Sequence, residues 1–163
     1  MRIEDGYGIF DVNIVGTFTN QTYLGTFKVK CLLSPMEQIK ADKLYRDILG
    51  SNAHLTSNHV ASLAYAASQL HIRIVEHPAF WEGESIGGSH IVDENVILDV
   101  IDKAIEAQAV FVEDKKKELI ERQEVLANLI RNKKIVPEDS EEEAPITSSE
   151  SEEENETLGE ENV

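Results

Sequence analysis

The sequence predicts an α+β fold, in which an N-terminal β-hairpin or small antiparallel sheet is packed by about three helices. Apolar and polar side chains alternate over residues 9–31, which is the period of a half-buried pair of strands. Apolar side chains then recur every three or four residues in three stretches, at about 35–49, 57–76 and 93–132, of which the last is the longest. The composition of residues 137–163 adds a disordered acidic tail to this fold.

The hairpin at 9–31 is predicted to turn at Asn20-Gln21. One face is then apolar or glycine, with the pairs Phe18–Tyr23, Gly16–Gly25, Ile14–Phe27, Val12–Val29 and Phe10–Cys31. A slip by one residue would expose the whole apolar set, so the pattern favours this face. The facing glycines indicate a bend or the close approach of another backbone. Because two strands alone are barely stable, helices, further strands or another copy must cover this face.

The first helix is predicted from the start signal at Ser34. Ser34 can cap the helix, Pro35 suits its first turn, and Glu37 completes a capping box. Gly50 is typical of a helix end, so the helix is expected at 35–49.

The second helix is expected from about residue 57 to Glu76, before Pro78 ends it. The run HIRIV at 71–75 could instead be a short strand, although we prefer the helix. After Pro78, Phe80 and Trp81 are candidate partner-binding anchors, since aromatic side chains concentrate at the centres of interfaces. The alternative is that they are buried and fix this loop to the core.

The third helix is expected over 93–132. Its first half carries a continuous apolar stripe, the segment 113–118 is polar all round, and the stripe then resumes. The second half is more apolar than an isolated solvated helix should be, which predicts that a partner or another subunit covers it. The candidate docking residues are Leu119, Leu126, Leu129 and Ile130.

The charge is concentrated at the C-terminus. Residues 1–136 hold all 15 basic residues and 19 acidic ones, a net charge of −4, and residues 137–163 add 12 acids and no base, for −16 in total. The tail is too polar to bury a core, and its charges repel each other. It is interpreted as a solubilising segment or as a decoy for a basic site on a partner. The 1–136 region is expected to be the folded domain.

Composition excludes several classes of function. The net charge of −16 argues against nucleic acid or an anionic membrane as a partner. No apolar run reaches the length of a membrane-spanning helix, and the single Cys31 suggests a reducing, cytoplasmic setting. Phosphate-binding, dinucleotide and nucleophile-elbow motifs are missing, as is the histidine or cysteine spacing of a zinc site. We therefore expect no enzyme activity, no metal and no cofactor.

The order of motifs resembles the tail assembly chaperones of long-tailed bacteriophages. The hairpin ends in GTFKVK, LSPMEQ opens a helix, and RIVEHPAFW, DENVILDV and AIEAQ follow. The resemblance covers about residues 10–132. It implies a small protein of the host cell cytoplasm that coats the tape measure protein, recruits tail tube subunits and leaves before the virion is complete. It implies no catalytic residue and no cofactor.

The predicted function is therefore non-enzymatic protein binding in phage tail morphogenesis, with the tape measure protein or tail tube protein as partner and a homo-oligomer as a possible state. Two alternatives stay open. One is a permanent virion component such as a connector or head–tail joining protein. The other is an acidic mimic of nucleic acid that inhibits a host protein through residues 137–163.

Overall fold

A computed structural model describes residues 1–51, 56–83 and 85–133, and it confirms the α+β fold. Within these residues, the strands form one antiparallel sheet in the order β1-β2-β3-β4, comprising β1 (Arg2–Glu4), β2 (Tyr7–Val15), β3 (Thr22–Lys30) and β4 (Ile74–Glu76). The helices of the same residues are α1 (Pro35–Leu49), α2 (Asn58–Arg73) and α3 (Glu94–Lys133), and short 3-10 turns occupy Ala79–Trp81 and Ile86–Gly88. The predicted disordered tail at 137–163 lies outside the described residues.

The chain forms two compact units, Met1–Gln123 and Glu124–Val163. The first unit contains the sheet, α1, α2 and the greater part of α3. The described part of the second unit is the end of α3, residues 124–133. The domain boundary that the sequence predicts after Val136 stays a prediction.

The predicted register of the hairpin is wrong by four residues. Phe10 lies opposite Phe27 and Ile14 opposite Tyr23, and the strands are joined by a longer loop than the two-residue turn at Asn20-Gln21. The Gly16 amide donates to the Gln21 carbonyl (2.8 Å) and closes this loop, in which Asn20 takes a positive φ of 56°. Because a shift by an even number leaves every side chain on its own face, the apolar face is as predicted.

The glycines Gly16 and Gly25 do not face each other, but each marks a close approach. A Cβ at Gly25 would overlap the Pro78 ring, and a Cβ at Gly16 would overlap the carboxylate of Asp93. The sequence predicted a bend or the close approach of another backbone at these glycines, whereas the groups that approach most closely are side chains.

The short edge strand β4 replaces the end of the predicted second helix. Helix α2 ends at Arg73 instead of Glu76, so the helix predicted at 57–76 is too long. Ile74 has extended backbone angles and pairs with Val29, and Lys28 forms an ion pair with Glu76 (2.9 Å). The free edge of β3 therefore outweighs the weak helix propensity of Ile74 and Val75, which are β-branched.

Strand β1 is an element that the sequence analysis missed. It pairs with the start of β2 through a turn in which Asp5 and Gly6 both have positive φ. An Asp-Gly dipeptide is a strong hairpin signal, and it could have revealed this strand.

The other predicted helices are confirmed. Helix α1 spans the predicted 35–49, and its capping box is present, because the Glu37 amide donates to Ser34 Oγ (3.3 Å) and the Ser34 amide donates to Glu37 Oε2 (2.9 Å). Helix α3 is displaced by a single residue from the predicted 93–132 and is continuous through the polar segment 113–118.

The core joins one face of the sheet to α2 and α3. Its buried side chains are Phe10, Val12, Tyr23, Phe27 and Val29 from the sheet, Ala66 and Leu70 from α2, Trp81 and Ile91 from the segment between β4 and α3, and Val96, Ile97, Val100, Ile101 and Ala104 from α3. The apolar face of the hairpin is thus covered within the chain itself, by helices.

Candidate protein-binding surface

The docking residues predicted on α3 are exposed. Leu119 in the first unit, and Leu126, Leu129 and Ile130 in the second, each have more than half of their side-chain surface in solvent, with values of 57–62%. The spacing of three and four residues places Leu126, Leu129 and Ile130 on one side of the helix. We call these four residues the α3 stripe. Exposed aliphatic side chains concentrated on one helix face are typical of an interaction site.

The helix that carries the stripe is supported by its own charged side chains. Lys115 forms an ion pair with Glu118 (2.8 Å) and Lys117 with Glu113 (3.0 Å), at helical spacings of three and four. The hydrogen bond and the charge of Lys115 lower the pKa of Glu118, so this pair is charged at neutral pH. Because both pairs are exposed to solvent, each contributes little to stability. The polar segment therefore favours the helical conformation without covering the stripe.

The second predicted anchor, Trp81, belongs to the core. Its side chain is 6% exposed, and its ring lies edge-on to Phe27 at 5.1 Å between centroids. The ring also packs so closely on Gly88 that a Cβ there would overlap it. An indole with so little free surface cannot serve as a partner anchor. The prediction of Trp81 as a partner-binding residue is corrected to its alternative, a core anchor.

Phe80 occupies an intermediate position. Its ring is edge-on to Tyr23 (5.2 Å) and to Phe27 (6.0 Å), and it is half-buried at the margin of the core. Phe80 therefore fixes the 3-10 turn at Ala79–Trp81 to the sheet, and partner binding by its remaining exposed edge stays a prediction.

A buried carboxylate at the start of α3 connects this helix to the hairpin loop. Asp93 is fully buried, and it accepts hydrogen bonds from the Phe18 amide (2.6 Å), the Thr19 amide (3.1 Å), the Thr19 hydroxyl and the Tyr23 hydroxyl (2.9 Å). The neighbouring Asn95 accepts from the Thr17 amide and donates to the Val15 carbonyl (3.1 Å). These contacts span 70 or more positions in sequence, so no local pattern could reveal them.

The hydrogen bonds of Asp93 predict an acid-sensitive contribution to stability. Burial raises the pKa of this carboxyl, but the hydrogen bonds from Thr19, Phe18 and Tyr23 outweigh burial and lower it from 3.8 to about 2. A lowered pKa in the folded state gives stability that is complete above about pH 4 and is lost as the pH falls towards 2. In the Asp93→Asn variant, we expect urea-unfolding midpoints that depend less on pH in this window.

Glu37 is a second carboxyl whose pKa is lowered to about 2, by the hydrogen bonds from Lys30 and from the Ser34 amide and hydroxyl. A Glu37 variant is therefore the control for the Asp93 experiment. Glu37→Gln should remove a separate part of the acid sensitivity. If the unfolding midpoints of the wild type and of Asp93→Asn changed in parallel between pH 4 and pH 2, the assignment to Asp93 would be wrong.

The buried Arg73 links the end of β3 to α2 and α3. Its guanidinium donates to the carbonyls of Lys30 and Cys31 (3.1 Å each) and to Gln108 Oε1 (2.7 Å). Burial lowers the pKa of Arg73, and burial raises the pKa of the Cys31 thiol, although Arg73 opposes the second shift. A buried, protonated thiol is a poor nucleophile, so the geometry of Cys31 favours a structural role.

Among the described residues, no group of three or more histidine, cysteine, aspartate or glutamate side chains could hold a metal ion. In the same part of the chain, no helix has both the length and the apolar character that crossing a bilayer requires. Comparison of the chain with protein families, with curated proteins and with solved structures gives no match.

Proposed function

We propose that this protein binds another protein through the α3 stripe and acts in assembly rather than in catalysis. The exposure of Leu119, Leu126, Leu129 and Ile130 on a helix that needs none of them for its core is the observation that supports this proposal most. Full burial of one aliphatic side chain is worth about 1.5–3 kcal/mol, so a partner that covers three or four of them gains a substantial free energy of binding.

The finer form of the proposal is a chaperone of phage tail assembly in the host cell cytoplasm, as the sequence resemblance suggests. Its clients are the tape measure protein and the tail tube protein. An aliphatic helix face suits a client that is itself helical, because such faces pack into each other by their regular ridges and grooves. The acidic segment 137–163 keeps the charge of the free chaperone far from zero, which opposes self-aggregation.

Co-expression with defined clients tests this function. The full chain is produced together with the tape measure protein of its own phage, and separately with the tail tube protein. We expect at least one client to be retained in the soluble fraction and to co-elute with the chain in size-exclusion chromatography. The client produced alone, or with an unrelated acidic protein, is the control for solubility.

Purified virions separate the proposal from its rivals. A chaperone should be missing from the finished particle, whereas a connector would be present at a fixed stoichiometry by mass spectrometry. Deletion of 137–163 should leave client binding largely intact, since the binding residues lie on α3. Loss of all activity on this deletion would favour the acidic mimic instead.

A further inference from the structure

The loop between β2 and β3 presents an aromatic side chain on a fixed backbone. Phe18 is 71% exposed, the largest exposed fraction among the large apolar side chains of the described residues. Its amide is held by Asp93 at 2.6 Å, and the Asn20 amide donates to the Gly16 carbonyl at 3.1 Å. Because the backbone is already ordered, a contact made by Phe18 costs little additional conformational entropy.

The same segment is free of charge. Residues 12–27 contain no acidic or basic side chain, although 28% of the residues in the whole chain are charged. Depletion of charge together with an exposed aromatic residue is the compositional signature of an interface centre. The alternating pattern of the hairpin predicts Phe18 on the buried face, and the longer loop is what turns it outwards.

An apolar cavity of about 530 Å³ lies near the start of α3. It is lined by residues of α1, α2, the segment before α3 and the start of α3, among them Ile48, Val60, Leu63, Ile91, Val92 and Glu94. Val60 and Val92 are about half or more exposed, so the cavity is open to solvent at its rim. Nearly all the side chains named here are aliphatic, which fits an apolar occupant.

The projecting ring and the cavity are neighbours in the structure. Val92 lines the cavity, and the next residue, Asp93, holds the Phe18 amide. A chain that carries both an exposed apolar side chain and an apolar pocket can associate with itself. When the two features lie side by side, a two-fold axis between them lets each copy fill the pocket of the other, and the contact closes at two copies.

We propose that the protein forms a two-fold dimer in which Phe18 of each copy inserts into the cavity of the second copy. Two features favour a second copy over an unrelated partner. The chain itself supplies both the ring and the pocket, and the charge-free segment 12–27 brings no acidic side chain to Glu94, which lines the cavity. This dimer does not use the α3 stripe, so it goes beyond the proposed function.

Sedimentation equilibrium of the full chain tests the dimer. We expect a mass of twice 18.2 kDa for the wild type at micromolar to millimolar concentration. Phe18→Ser removes the ring. Val60→Glu places a charge in the cavity, and an acidic side chain at this position is compatible with the first turn of α2. Each variant should weaken dimerisation at least about tenfold, which is the effect expected for the loss of an interface hot spot.

A mixture of the two variants gives the sharper result. The Phe18→Ser variant retains an open cavity, and the Val60→Glu variant retains its Phe18 ring. In a mixed dimer, the ring of the Val60→Glu copy can therefore enter the cavity of the Phe18→Ser copy, which restores one of the two insertions. We expect it to associate more tightly than either variant alone. Met36→Ser, which alters a similarly exposed side chain on α1, should dimerise like the wild type. The double variant Leu126→Gln with Ile130→Gln should also dimerise like the wild type. Because this variant is the one that tests client binding by the α3 stripe, the dimer and the proposed function can fail independently.

A wild-type chain that stays monomeric would overturn the proposal. So would a Phe18→Ser variant that dimerises normally, since the contact would then lie elsewhere. A mixture that associates no better than its components would show that the ring does not enter the cavity. Far-UV circular dichroism of each variant verifies that the fold is retained.

Discussion

Replacement of Trp81 by alanine should lower the free energy of unfolding by about 3–5 kcal/mol, the usual cost of removing a large buried aromatic side chain. The indole lies within the core, where it is edge-on to Phe27 and packs directly against Gly88. Its loss would leave a cavity that the rigid sheet cannot refill. Urea unfolding followed by circular dichroism measures this change, and Phe80→Ala should have a smaller effect because Phe80 is only half-buried.

Phe18→Ala is the matched control for that experiment, since it removes an aromatic ring that is exposed. Its effect on the unfolding free energy of the monomer should be within about 0.5 kcal/mol. If Trp81→Ala left stability unchanged and abolished client binding, Trp81 would be a partner anchor after all, and its placement in the core would be wrong.

Leu126→Gln combined with Ile130→Gln should weaken binding of the proposed client, the tape measure or tail tube protein, at least about tenfold. Both side chains are about 60% exposed, and glutamine is nearly as good a helix former as leucine, so α3 itself should persist. The stability of the fold should change by no more than about 0.5 kcal/mol. Isothermal titration calorimetry with the purified client measures the affinity.

Ile120→Gln is the control variant on α3. Ile120 is about as exposed as the stripe residues but is not one of them, and it lies in the first unit, whereas Leu126 and Ile130 lie in the second. Binding should be retained in this variant. An equal loss of affinity in Ile120→Gln and in the double variant would mean that the helix as a whole, and not the α3 stripe, determines binding.

The sequence predicted those features of the fold that depend on local periodicity. Helix α1 was found from Ser34, Pro35 and Glu37, because a capping box is a short-range signal. The buried face of the hairpin was found even though its register was wrong, since a shift of four residues keeps Phe10 and Phe27 on the same side of the sheet.

Features that depend on long-range contacts were not predicted. Strand β4 forms because the free edge of β3 is available to Ile74, and the loop after Val15 is long because Asp93 binds its amides from the start of α3. Likewise, no local sequence pattern shows which of the two neighbouring rings, Phe80 or Trp81, is buried. The exposure of the α3 stripe was predictable because the second half of this helix carries more apolar residues than an isolated solvated helix should.

Amide hydrogen exchange of the full chain, alone and with a bound tape measure or tail tube client, is the most direct test of the central claim. Residues 119–130 should exchange more slowly in the complex, while the buried strands β2 and β3 should exchange as in the free protein. If the client bound and exchange at 119–130 were unchanged, or if neither client bound at all, the account of α3 as the docking surface would be contradicted.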